Sequence, residues 1–167
     1  MVVKPLNLPY AIKAIAARPA RRGTTGSQAG AEIALLCEGG LVRIWNAKTG
    51  SVTAQIQQPR YLVALTYSAD GGHLVTLCED GAVRVWGADD HKLRATLRAT
   101  LRVINETVDA RGYTTTDWIT TTPEGYYAAS PGADQYILWR ANGKLMPCSA
   151  YKSVYDRPDL VAAALEH

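Results

Sequence analysis

The 167 residues contain no phenylalanine, so all aromatic packing falls to nine tyrosines and four tryptophans. Cysteine is scarce. Cys37, Cys78 and Cys148 are an odd number at wide spacing, with no Cys-x-x-Cys pair and no neighbouring pair of histidines, which excludes the common zinc frameworks and a closed disulfide scaffold. That usage fits a reduced, intracellular chain, and the expected compartment is the cytoplasm. No stretch approaches the roughly 18 apolar residues of a membrane span. The opening Met-Val-Val-Lys-Pro-Leu-Asn lacks the apolar run and small-residue cleavage site of a signal peptide. Charge of one sign is also in short supply: the formal net charge of +3 is far from the dense basic stripe of a dedicated nucleic-acid binder. No glycine-rich loop follows a strand and opens a helix, so nucleotide binding has no support. Neither a membrane nor a nucleic acid is therefore expected as a partner, and no cofactor or metal is expected.

The composition is otherwise that of a globular domain, 47% hydrophobic and 20% charged, with 14 glycines and 8 prolines to supply turns. A chain of this length buries roughly 70% of the surface its unfolded form exposes, enough for a core without staples. The strongest internal signal is repetition. Cys37 and Cys78 lie 41 residues apart, as do Trp45 and Trp86, and 33–45 aligns with 74–86 without a gap. Each copy has two β-rich runs around a turn, Glu38-Gly39-Gly40 or Glu79-Asp80-Gly81, where glycine supplies the positive φ a tight hairpin needs. After each tryptophan comes a second polar turn, 46–50 or 87–91, and then an alternating strand, Val52 to Ile56 or Leu93 to Leu97. A further strand, Leu62 to Tyr67, precedes the second copy and ends in Ser68-Ala69-Asp70-Gly71. The expected unit is four short antiparallel strands in about forty residues, the pattern of one β-propeller blade.

The run "SADGGHLVTLCEDGAVRVWG", Ser68 to Gly87, resembles the WD-repeat family's run from Ser-Pro-Asp-Gly through Asp-Gly-x-Val-x-x-Trp-Asp. The family's buried network joins a turn Asp, a His, a Ser or Thr, and the Trp. Here Asp80, Trp86 and Thr76 match it in the second blade. Asn46 and Gly87 replace the final Asp, Gly39 replaces the turn Asp, and no Gly-His precedes either opening strand. A third copy is spelled more weakly in "DWITTTPEGYYAASPGADQYILWR": strands at Trp118 to Thr121, Tyr126 to Ala129 and Gln135 to Trp139. Its Trp139 comes 53 residues after Trp86, which places an insertion at 105–116. This block is similar to the closing blade of bacterial WD-repeat proteins, some of which carry a caspase-like peptidase domain elsewhere in a longer chain.

The resemblance implies an all-β fold, a partial propeller of about three four-stranded blades. The expected division is 1–57 for the first blade with a long loop at 18–30, 58–104 for the second, 105–150 for the third, and a C-terminal extension at 151–164. A short helix is predicted over 159–165 with Asp159 as its N-cap. Leu165-Glu166-His167 reads as the start of a vector-encoded histidine tag. Three blades fall short of the four to eight that close a ring. The open ends leave three arrangements: a piece of a longer ring, association of copies, or another protein supplying the missing blades.

The same residues offer little catalytic chemistry. His73 lies five residues before Cys78, an odd separation that puts the two side chains on opposite faces of one strand. In addition, Cys37 recurs at the same blade position with Glu32 where His73 falls, so both cysteines read as small packing residues. His91 with Asp89 and Asp90 sits in a surface turn that offers a metal no fixed geometry. Trp45, Trp86 and Trp139 are expected at equivalent third-strand positions. Arg18, Arg21 and Arg22 in the long loop, and Arg94 and Arg98 on one face of an outer strand, are the candidate contacts for a partner. The implied function is a non-enzymatic scaffold for protein–protein interaction. The alternative is a regulatory or sensor segment of a longer bacterial protein whose caspase-like peptidase domain lies outside this chain, and a hydrolase acting through Cys78 is the third reading.

Overall fold

The structure is a computed structural model that describes residues 11–20, 32–58, 61–101 and 116–166. The chain divides into two compact units, 1–93 and 94–167. All but the last residue of the expected insertion at 105–116, Arg21 and Arg22, and most of the loop at 18–30 lie outside the described residues.

The first unit opens with β1 (Ile12–Ala17), β2 (Glu32–Cys37), β3 (Leu41–Asn46) and β4 (Ser51–Gln57), an antiparallel sheet in the order β1-β2-β3-β4. It continues with β5 (Leu62–Tyr67), β6 (His73–Cys78) and β7 (Val83–Gly87), paired antiparallel in succession. The fold is all-β. The repeat seen in the sequence is also a repeat of register: Ile33 faces Trp45 and Leu35 faces Arg43 in the first sheet, as Leu74 faces Trp86 and Thr76 faces Arg84 in the second. Gly39 and Gly81 turn the two inner hairpins at φ of 82° and 74°, a region open to glycine at no steric cost. Both opening strands carry one extra residue, Lys13 and Val63, against Leu36–Cys37 and Leu77–Cys78. Such a bulge sharpens the local twist of a strand.

Alternation on β3 buries Val42 and Ile44 while Arg43 and Trp45 stay half-buried. Those two residues join Ala34, Leu36 and Ile56 to pack against Leu62, Leu65, Tyr67, Leu74 and Cys78 of the second sheet. A sheet covered on one face by its neighbour is how repeated units bury a continuous core.

The second unit begins within β8 (Leu93–Leu101), four residues longer than the expected strand. β8 pairs antiparallel with β9 (Thr116–Thr121), and β9 with β10 (Tyr127–Ala129). The third copy departs from the expected blade here. Its last two strands, β11 (Leu138–Ala141) and β12 (Lys144–Pro147), form a separate two-stranded sheet, and a 3-10 turn at Ala133–Tyr136 replaces the start of the strand predicted over 135–139. The edge of β10 that β11 would occupy is taken by the chain further on. Tyr127 forms a parallel bridge with Asp156, and the Arg157 amide donates to the Tyr127 carbonyl at 2.9 Å. After the short helix α1 (Lys152–Tyr155), helix α2 (Pro158–Glu166) packs beside β10. It starts at Pro158, whose fixed φ suits a first helical position, so Asp159 lies within the first turn and not at the cap. None of the described helices is long and apolar enough to cross a membrane.

Candidate functional site

Apart from Arg21 and Arg22, which lie outside the described residues, the residues singled out in the sequence can each be placed. Trp86 Nε1 donates to Thr76 Oγ1 at 3.1 Å across the β6–β7 pair, and the threonine is fully buried. At the matching position of the first sheet Leu35 stands for Thr76, and Trp45 Nε1 is buried without a hydrogen-bond partner. Asp80 serves its own turn, accepting from the Ala82 amide at 3.1 Å. Asn46, in place of the family's Asp, does similar work: its side-chain oxygen accepts from the amides of Lys48 and Thr49 at 2.9 and 3.1 Å. An Asx turn needs only that oxygen, so amide and carboxylate serve alike.

Trp139 does not sit as Trp45 and Trp86 do. It faces Met146 across the β11–β12 pair and packs its ring 4.8 Å from that of Tyr155, 5.9 Å from Tyr151 and 6.0 Å from Tyr127, centroid to centroid. Tyrosines therefore surround it where a neighbouring strand of a blade would have stood. Below them, Tyr127 OH lies 3.3 Å from Cys148 Sγ, which lies 3.6 Å from Asp134 Oδ1. Burial and then the Cys148 contact push the Tyr127 phenol well above its usual range. Lys152 pairs with Asp134 and holds its carboxyl below the usual carboxylate range.

Cys37 and Cys78 are buried on corresponding sides of the two sheets. Cys78 lies on the face of β6 that buries Leu74 and Thr76, and His73 on the opposite one. A side chain against Cys78 is that of Arg84, with Nη1 2.5 Å from the sulfur. A guanidinium cannot take up a proton near neutrality, so this neighbour is no base for a nucleophile. Asp90 accepts from the Lys92 amide, and among the described residues no group of three His, Cys, Asp or Glu is placed to hold a metal ion.

Arg18, a candidate partner contact, is engaged within the chain. Its amide donates to the Glu32 carbonyl at 2.9 Å, beside the end of the β1–β2 ladder. The guanidinium, 12% exposed, then spans both sheets of the first unit. Nε donates to the Gly71 carbonyl at 2.8 Å, Nη1 to Glu32 Oε2 at 2.7 Å and to the Ala88 carbonyl at 3.3 Å, and Nη2 to Asp89 Oδ1 at 2.5 Å. Burial works to lower its pKa, but Asp89 and Glu32 outweigh that and raise it. The sequence offered a faint sign of this clamp, an arginine ending an alternating strand ahead of an acid that opens the next. On β8, Arg94 is half-buried and Arg98 exposed, four residues apart on one side of the strand.

The feature that the sequence did not announce is a pocket of about 420 Å³ in the second unit. Trp118, Tyr127, Tyr136, Ile137, Leu138 and Trp139 form most of its wall, Thr121 and Thr122 supply hydroxyls, and no charged side chain lines it. Its size and apolar character are those of a small binding site.

No family model and no curated protein matches the chain. Solved structures do. The chain is similar to the WD40 domain of SCAP from fission yeast, at 13% identity and a TM-score of 0.41, with 76% of this chain and 34% of that one covered. It is also similar to the β-propeller domain of Cps50 (Swd1) from Myceliophteria thermophila, at 20% identity and a TM-score of 0.39, covering 68% of this chain and 34% of that one. The chain thus spans about a third of each of these two propellers.

Proposed function

We propose that this protein is a non-enzymatic module for protein–protein interaction, built on WD-type blades and completed by another polypeptide, whether a partner or a second copy. The observation that carries this reading is bulky apolar surface on the strands themselves. Ile15 on β1 is 65% exposed and Val63 on β5 is 58% exposed, with Ile12 and Tyr61 exposed beside them in the chain. β1 and β5 are neighbours across the two sheets, and exposed apolar residues on adjoining strands mark a contact surface. The cytoplasm is the compartment proposed, where three free, buried cysteines persist as thiols.

The test is a photo-reactive residue placed at position 63 in the full chain within its native cells, together with the sedimentation mass of the purified protein. The reading predicts a discrete protein adduct from position 63, or a mass above 18.1 kDa that Ile15→Lys and Val63→Lys reduce. A chain that sediments at 18.1 kDa at every concentration and gives no adduct contradicts it.

A further inference from the structure

The β11–β12 hairpin and the pocket beside it carry a more specific assignment, which rests on the protein-interaction reading above. Residues 135–147 contain two cations, Arg140 and Lys144, and no acid. Lys152 and Arg157 are neutralised by Asp134, Asp156 and Asp159, whereas Arg140 stands exposed on β11 with no carboxylate partner among the described residues. Alternation along β11 puts Leu138 on the same face as Arg140, and their cross-strand partners Pro147 and Leu145 share that face. Leu138 and Leu145 are 62% and 58% exposed, and Leu138 is also part of the pocket wall.

An uncharged pocket is thus followed, two residues along one strand or about 7 Å, by an uncompensated cation. Among the described residues each strand of the hairpin has a single neighbouring strand, so each presents an edge of its backbone groups. Such an edge is a template for an extended chain. We propose that this surface binds an extended segment of a protein partner, with a bulky apolar side chain in the pocket and a carboxylate, one or two residues away, on Arg140. The guanidinium supplies a forked donor for that carboxylate, and the apolar anchor supplies most of the buried surface.

The probe is a phage-displayed library of random peptides selected on the full chain, followed by affinity measurements with the enriched peptides made synthetically. Enrichment of an aromatic or large aliphatic residue within two positions of Asp or Glu is expected. Arg140→Glu should weaken such a peptide at least about tenfold, while Arg140→Lys keeps the charge and loses much less. Leu138→Ser should weaken it as well, with the circular dichroism of every variant matching the parent.

Three results overturn the proposal: no enriched peptide, enriched peptides without an acid, or equal affinity for the parent and Arg140→Glu. Binding of 3-phenylpropionate at Arg140 with peptides inert would make this a small-molecule site and overturn it too. The adduct from position 63 reports on the first unit, so these failures leave the broader reading standing.

Discussion

A buried indole N–H must find an acceptor or bear the cost of desolvation, and the two matched tryptophans resolve this differently. Trp86 has Thr76; Trp45 has Leu35 where Thr76 would stand and finds no acceptor among the described residues. Thr76→Val should therefore destabilise the protein by about 1–2 kcal/mol in chemical denaturation, because it orphans a group that is now satisfied. Tyr67 presents the opposite case. Its ring is buried in the core, its hydroxyl has no hydrogen-bond partner, and burial pushes the phenol up to about 12, with the negative Glu32 adding to the effect. The unfolded phenol ionises near its model value of 10.0, so between there and about 12 the unfolded chain sheds a proton that the folded one retains. Stability contributed by the neutral phenol is complete below pH 10 and is lost as pH rises towards 12. Tyr67→Phe is expected to flatten that alkaline loss in thermal melts. At neutral pH it should cost little or add stability, since an unpaired polar group leaves the core.

Among the elements, the β1–β2 and β5–β6 segments of the two sheets are held together by more than apolar contact. Arg18 bonds to groups on both, and Gly71, at φ of 69°, lets the Pro19 carbonyl come within 2.6 Å of where a Cβ would stand. Arg18→Ala should cost about 2–3 kcal/mol, leaving Glu32 and two carbonyls without their donor. Asp89→Asn, on the exposed side of the clamp, should cost under about 1 kcal/mol. Equilibrium unfolding of the two variants checks the contrast. The inner hairpins were legible in the sequence because turn glycines and alternating strands are local, and a 41-residue repeat writes the signal twice. The clamp was barely legible, since beyond the Arg18–Glu32 pair it joins residues 53 and 71 positions apart that share no pattern. The third copy was half legible for a related reason. Its strands exist, but which edge each one meets depends on competition, and Asp156 and Arg157 reach β10 in place of β11. The pocket follows from that displacement, so no motif at 118–139 could have announced it.

At the scale of the molecule, the proposed function rests on strands that bury one face against each other and leave other surfaces for a partner. That arrangement is only as sound as the shared register, because a slip of one residue turns every core side chain of a strand to the opposite face. A slipped β3 or β7 would bury Arg43 and Val85 in place of Val42, Ile44 and Arg84, and the matched positions of the two tryptophans would be lost. The most direct measurement is therefore the set of cross-strand backbone NOEs in the full chain. The structure predicts contacts between Ile33 and Trp45 and, in the same register, between Leu74 and Trp86. Helical contacts at either tryptophan, or cross-strand contacts displaced by one residue in either sheet, would contradict it.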